Sequence, residues 1–287
     1  MSIVSFLEST LGLTKIRSHY QLMLITPIVY HIIYLVGGKL SSIIVPKTYN
    51  KYTPYEKSRW NNHIVSFINS ITLCVLSIPV IFDESLASDR VFSYSVGSGN
   101  LYAIACGYFI WDLVMCLTQQ KPNINFIIHA TLCLTVYLIS FSPFLNYYGP
   151  RFLLFELSTP FLNFGWFLQK LNLTNTLAFK LNGVFLYIVF FLARICWGLY
   201  QSYSFWTDMT NIFFDGGPKH LILIIGFANI SLNILNLFWF SKLTGMLISM
   251  VFKGSKDDKS KVGNGDIKVN GNTTSTISSI NNIKSNK

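Results

Sequence analysis

The sequence predicts an all-α membrane protein, a polytopic bundle of about seven transmembrane helices. Hydrophobic residues make up 51% of its 287 residues and charged residues only 12%, whereas soluble domains carry about 25% charged residues. Apolar runs are spread evenly up to about residue 252, and the composition then changes to Asn, Ser, Gly and Lys. These observations predict one membrane body followed by a polar tail.

Seven apolar segments are long enough for a helix to cross the hydrocarbon core, which takes about 20 residues, or about 17 at the short end. The fifth is interrupted by Pro160 and by polar residues, so a re-entrant segment is the alternative there. The seven segments are approximately 20–45, 64–82, 101–117, 124–141, 152–168, 180–200 and 220–240.

The distribution of Lys and Arg predicts the orientation, because these residues are enriched in cytoplasmic loops. Loop 46–63 and the region after residue 240 are rich in them, so we expect a lumenal amino end and a cytosolic carboxyl end. The predicted divisions are an N-terminal segment with the first helix (1–54), a membrane domain (55–252) and a basic tail (253–287). The tail lacks aromatic residues, and we expect it to be disordered.

The net charge of +10 does not indicate a nucleic-acid partner. Lys and Arg are dispersed in loops and in the tail instead of forming a basic patch interleaved with aromatic residues. The five cysteines all lie in apolar segments and show no CxxC spacing, so neither disulfides nor a metal site is expected. The sequence indicates no cofactor.

Ionisable residues inside membrane segments are costly and usually have partners. Asp112 and His129 each lie about 8 Å from the predicted cytosolic ends of their helices, at a rise of about 1.5 Å per residue. Glu156 and Arg194 lie in the predicted lumenal third. We therefore expect Glu156 to pair with Arg194, in a structural role, and His129 with Asp112, in either a structural or a catalytic role.

A stripe of amides marks the last segment. Asn229, Asn233 and Asn236 follow the spacing i, i+4, i+7 and share one helical face. Such a stripe either forms hydrogen bonds to neighbouring helices or lines a polar cavity, and both alternatives remain open at this stage.

Several stretches resemble the TLC domain, named after TRAM, Lag and CLN proteins, over about residues 55 to 245. The stretch "FELSTPFLNFGWFL" (155–168) is the most specific, and it is similar to the TLC-domain-containing and transmembrane-protein-56-like branch. The others are "YEKSRWNNHIVSFINSI" (55–71), "GYFIWDLV" (107–114), "NFIIHATLCL" (125–134) and "LNLFWFSKL" (235–243).

The resemblance implies a body of the endoplasmic-reticulum type, with six helices around a cavity that accommodates lipid. Asn163, with the three amides of the last segment, is then a candidate for lining it. Ceramide synthases of the family carry paired histidines, whereas this chain has Ile128 and His129. The missing second histidine favours a lipid-homeostasis protein that binds or senses acyl lipids in this cavity, with membrane lipids as its partners. The alternative is an N-acyltransferase that uses His129 on long-chain acyl-CoA and a sphingoid base.

Overall fold

The protein is described by a computed structural model that covers the backbone of residues 3–261 and the side chains of residues 4–248. Every regular element in this part of the chain is helical, which confirms the all-α prediction. The α-helices are α1 (Ile3–Leu11), α2 (Tyr20–Ile44), α3 (Pro46–Tyr49), α4 (Pro54–Ile81), α5 (Glu84–Ser88), α6 (Val96–Thr118), α7 (Ile124–Ile139), α8 (Gly149–Leu153), α9 (Thr159–Lys170), α10 (Leu177–Phe190), α11 (Trp197–Phe214) and α12 (Lys219–Lys261).

Five helical runs in the described residues are long and apolar enough to cross a membrane. They are α2, α4, α6, the run Leu177–Phe214 and the part Lys219–Ile248 of α12. Helix α7 is also apolar, but it is shorter, at 16 residues. These runs correspond to six of the seven predicted segments, and they make the chain an integral membrane protein.

The fifth predicted segment is helical but irregular. Helix α8 passes into a 3₁₀ turn at Leu154–Ser158, and α9 follows it. Pro160 has no backbone N–H, so it cannot donate to the carbonyl of Glu156 four residues earlier. The N–H of Thr159 bonds that carbonyl instead, in the tighter 3₁₀ pattern. The proline therefore places Glu156 in a break between two helices.

The sixth segment is irregular at a matching place. Between α10 and α11 the backbone adopts one π-helical stretch, Phe191–Cys196, which contains Arg194. Such wider turns often occur at functional sites. The 3₁₀ turn and the π stretch pack against each other, so the two irregular segments meet inside the bundle.

Local sequence signals explain where two of the other helices begin and end. Thr53 caps α4 through a reciprocal capping box with Glu56, and Pro54 occupies the first turn. Helix α12 continues to Lys261, so it enters the segment predicted as a tail from residue 253, because no proline stops it there. Residues 262–287 lie outside the described part of the chain.

Candidate functional site

A cavity of about 70 Å³ lies between α6, α7, α8, the two irregular segments, α11 and α12. This volume is several times what one ordered water needs. Its walls are mostly aromatic and aliphatic, and its polar groups come mainly from the predicted residues. Helices α2 and α4 do not contribute to its lining, whereas the resemblance implied a ring of six helices. Besides Cys133, Tyr137 and Tyr148, the polar and charged lining residues are His129, Ser140, Glu156, Arg194, Asn229, Asn233 and Asn236.

Arg194 is the central charge of this site, and its side chain is only 7% exposed. Its Nε donates to Ser158 Oγ at 3.1 Å, Nη1 to Asn236 Oδ1 at 3.0 Å and Nη2 to Thr159 Oγ1 at 3.3 Å. Three hydrogen bonds to neutral oxygens thus hold the guanidinium without using a carboxylate. Trp239 completes the enclosure, because the guanidinium carbon lies 5.7 Å from its ring.

Glu156 lies beside this guanidinium. Its Oε1 is 3.8 Å from Arg194 Nη2, an ion-pair distance that is longer than a hydrogen bond. The two parallel hydrogen bonds of a bidentate pair are therefore not formed. Because Glu156 also lines the cavity, its carboxylate is available to accept hydrogen bonds from a molecule inside.

The amide stripe of α12 both bonds its neighbours and lines the cavity. Ser202 Oγ on α11 accepts from Asn229 Nδ2 at 3.1 Å and from Asn233 Nδ2 at 2.9 Å. Asn229 Oδ1 accepts from the Trp206 indole at 3.1 Å. Asn233 Oδ1 is buried and has no hydrogen-bond donor among the described residues. It is the second acceptor at the cavity, after the Glu156 carboxylate.

The sequence places His129 near the cytosolic end, apart from Glu156 and Arg194, but all three line one cavity in the structure. The His129 ring lies 5.6 Å from the Trp239 ring, and the same tryptophan covers Arg194. Cys133 Sγ is 3.8 Å from His129 Nδ1. Asp112 is buried on α6 and is not part of the cavity lining.

Asn163 also lies outside the cavity lining. It is fully buried between α9 and α4, where its Oδ1 is 2.7 Å from His63 Nδ1 and its Nδ2 donates to Ser66 Oγ at 3.1 Å. The His63 ring stacks on Trp166 with centroids 3.9 Å apart. In this position Asn163 joins two helices.

Arg90 and Asp208 form a second polar group next to Tyr148, which lines the cavity. Arg90 Nε lies 3.0 Å from Asp208 Oδ2. Arg90 donates a hydrogen bond to the Tyr148 hydroxyl, which donates to Asp208. Burial raises the pKa of the Tyr148 phenol, so this hydroxyl stays protonated. The sequence did not reveal this group, because Arg90 lies in the loop before α6 and Asp208 lies in α11, far away along the chain.

Two further features escape the sequence patterns. Ser158 and Thr159 hold Arg194, although their only sequence signal is their position next to Glu156. Ser202 accepts hydrogen bonds from two amides, but nothing in the sequence distinguishes it from the other serines of the chain. Among the described residues, no three His, Cys, Asp or Glu side chains converge as metal ligands would.

Known proteins of one family match most of the chain. The sequence profile of the TLC domain matches residues 59–244. An uncharacterized TLC domain-containing protein of Schizosaccharomyces pombe is 38% identical over 233 residues, which cover 81% of this chain and 80% of that protein. Topoisomerase I damage affected protein 4 of Saccharomyces cerevisiae is 34% identical over 73% of this chain and 77% of that protein. Human TLC domain-containing protein 4 is 28% identical over 76% of this chain and 84% of that protein.

Proposed function

Because the chain belongs to the TLC domain family, we propose that it binds a membrane lipid in its cavity and acts in lipid homeostasis in the endoplasmic reticulum. The relatives named TLC domain-containing protein 4 agree with the branch that the "FELSTPFLNFGWFL" stretch indicates. The observation that carries the proposal is the cavity itself, which combines mostly apolar walls with a few convergent polar groups, as ligand sites do.

The polar groups favour one chemical class of lipid. Glu156 carboxylate and Asn233 Oδ1 are acceptors that lack a hydrogen-bond donor from the described residues. A buried acceptor without a donor is costly, and a ligand that brings a hydroxyl or an amine would satisfy it. We therefore expect a lipid whose head carries such donors, with its hydrocarbon part against Phe144, Phe152 and Phe205.

Filling the cavity tests this function. In Val136→Phe a larger side chain would occupy the cavity wall, whereas Val114→Phe adds the same volume at an outward position that is 53% exposed. Each purified protein would be extracted with organic solvent, and the retained lipids would be measured by mass spectrometry relative to protein.

We expect wild type and Val114→Phe to retain the same hydroxyl- or amine-bearing lipid, and folded Val136→Phe to retain severalfold less of it. An unchanged lipid complement in folded Val136→Phe would contradict the proposal. Whole-cell lipid analysis of a deletion strain would then show whether this lipid class changes in the cell.

A second candidate function is acyl transfer from acyl-CoA to a sphingoid amine, and the position of His129 in the cavity wall favours it. The neutral imidazole would take a proton as the amine attacks the thioester carbonyl. A C–N bond forms, the C–S bond breaks, and the thiolate of coenzyme A leaves with the proton. Asp112 would act through His129 as a positioning residue.

The acyltransferase assay uses purified protein with long-chain acyl-CoA and sphingoid bases. If acyl transfer is the function, wild type turns over and folded His129→Ala does not, while Asp112→Asn shifts the pH profile of the rate. Activity that survives His129→Ala would refute this mechanism. Absence of turnover together with retained lipid would favour the first function.

A further inference from the structure

A second polar cluster lies away from the cavity, where the beginning of α4 meets the end of α9. The two helices run antiparallel here, since His63 contacts Trp166 and Asn163, while Ser66 contacts Asn163. One turn nearer the beginning of α4 is Arg59, and one turn nearer the end of α9 is Lys170. The register therefore brings Arg59 and Lys170 to one level.

Arg59 is buried, with 8% of its surface exposed. Its Nε and Nη2 have no hydrogen-bond acceptor among the described residues, and its guanidinium carbon lies 5.8 Å from the Tyr55 ring. A buried charge without a hydrogen-bonded partner is strongly unfavourable. Arginine in membrane proteins usually finds a carboxylate, a carbonyl or a phosphate instead.

The remaining charges of the cluster do not supply this partner. Glu56 is the acid that interacts electrostatically with Arg59 and Lys170, but its carboxylate accepts from both the N–H and the hydroxyl of Thr53 at 2.9 Å. Lys170 adds a second cation, whose Nζ lies 5.6 Å from the Trp166 ring centroid. Two cations thus face one acid that is already used as a helix cap.

Trp166 contributes a third unpaired donor. Its indole Nε1 is buried and has no acceptor among the described residues. Trp60 packs against it at 5.7 Å between ring centroids, in the way that aromatic residues collect at the level of lipid headgroups. Three N–H groups without acceptors and an excess of positive charge at this level suit an anion with several oxygens.

We propose that Arg59, Lys170 and Trp166 form a binding site for a phosphate group at the membrane surface. Guanidinium and phosphate match through paired hydrogen bonds, and basic pockets between transmembrane helices on the cytoplasmic side bind phosphorylated headgroups. This is also the side on which the Lys and Arg distribution predicts both helix ends. The phosphate belongs either to an anionic phospholipid or to a soluble phosphorylated compound, and this site is separate from the cavity.

The test measures thermal stability and binding in reconstituted protein. Wild type would be placed in bilayer discs of phosphatidylcholine, or of phosphatidylcholine with phosphatidic acid, and Tm would be recorded. A parallel arm adds inorganic phosphate or glycerol 3-phosphate to the phosphatidylcholine discs. The affinity for a fluorescent phosphatidic acid would be measured in detergent for Arg59→Gln, for Lys170→Gln and for Lys51→Gln, an exposed lysine of the same loop region.

We expect phosphatidic acid to raise the Tm of wild type and of Lys51→Gln. In Arg59→Gln the increase disappears, and the affinity falls roughly tenfold or more, since charge-assisted hydrogen bonds are lost. In phosphatidylcholine alone Arg59→Gln is at least as stable as wild type, because an unpaired buried charge has been removed. If the soluble phosphates alone reproduce the increase, the site recognises a soluble compound.

Two results would overturn the proposal. One is that Arg59→Gln and Lys170→Gln keep both the phosphatidic acid affinity of wild type and its Tm response to the soluble phosphates. The other is an Arg59→Gln protein that is less stable than wild type in phosphatidylcholine while it keeps the full increase with phosphatidic acid, since Arg59 would then be purely structural. If Arg59→Gln does not fold, Lys170→Gln and Trp166→Phe decide the question through their affinity.

Discussion

Replacing Arg194 by glutamine should cost much more stability than replacing Glu156. Arg194 has three hydrogen bonds to neutral oxygens besides its ion pair. Among the described residues, Glu156 has only the 3.8 Å approach to the guanidinium. Arg194→Gln removes all of these and leaves the Glu156 carboxylate, which is 14% exposed, without its cation; breaking an ion pair in buried settings typically costs about 3–5 kcal/mol. Glu156→Gln leaves the guanidinium hydrogen-bonded, so we expect a loss of about 1–2 kcal/mol.

The double variant isolates the interaction between the two charges. At 3.8 Å their attraction is about 4 kcal/mol with an effective dielectric constant of about 20, before the cost of removing them from water is subtracted. In Arg194→Gln the lone carboxylate is the main penalty, and Glu156→Gln removes it. The double variant should therefore be no less stable than Arg194→Gln alone, instead of showing the sum of the two losses.

The free energy of unfolding would be measured for wild type, both single variants and the double variant in mixed micelles of a mild detergent and dodecyl sulfate. Asp215→Asn, at an exposed acid after α11, is the matched control and should change little. Strictly additive losses would show that the two charges do not interact. A Glu156→Gln loss as large as that of Arg194→Gln would refute the argument from the three neutral hydrogen bonds.

Three further predictions concern other parts of the molecule. Gly107→Ala should lower the free energy of unfolding by about 1–3 kcal/mol, because its Cβ would lie 2.5 Å from Thr26 Cβ. Gly183→Ala is the control in the same unfolding assay, because its Cβ would have no described atom within 4 Å. Burial lowers the pKa of the His19 imidazole, so the unfolded chain takes up a proton on this ring at a higher pH than the folded protein. The free energy of unfolding should therefore fall as the pH drops below about 6.5. The same dependence of this free energy on pH in His19→Gln as in wild type would contradict the prediction. Asn172, Leu173 and Thr174 form a glycosylation sequon in the loop after α9, which the Lys and Arg distribution places on the cytosolic side. We therefore expect glycosidase to leave the electrophoretic mobility of the protein unchanged, whereas a shift that disappears in Asn172→Gln would reverse the predicted topology.

Hydrophobic segments made most of the fold predictable from the sequence. A charged residue is so costly in a bilayer that spans are marked by composition alone, and the predicted segments correspond to helical runs. The ends were less predictable, because α4 begins at Pro54 through its Thr53 cap and the helical run at the sixth predicted segment continues to Phe214. Polar residues can extend a helix beyond the apolar stretch that reveals it.

The candidate site was predictable as a set of residue types but not as a geometry. Rarity of charge inside the membrane singled out Glu156, Arg194 and His129, and all three line the cavity. The membrane depth estimated from residue positions placed His129 at a different level from the other two residues. That estimate assumes straight, upright helices and ignores their tilt and their irregular turns. The same reasoning overlooked Arg59, since a cation near a span end is usually solvated and its burial depends on which helix packs against it.

The irregular backbone explains why the polar groups collect where they do. A regular transmembrane helix satisfies its own backbone, so irregular turns occur at membrane depth only where protein or a cavity surrounds them. Pro160 forces the 3₁₀ turn that carries Glu156, and the π stretch that carries Arg194 lies against it. Arg194 in turn donates hydrogen bonds to Ser158 and Thr159, which follow Glu156 by two and three residues in the chain.

We therefore expect Pro160→Ala to let the turn become α-helical and to move Glu156. Folded Pro160→Ala should lose retained lipid while Arg194 stays buried. Unchanged lipid retention in that variant would mean that the break does not shape the site.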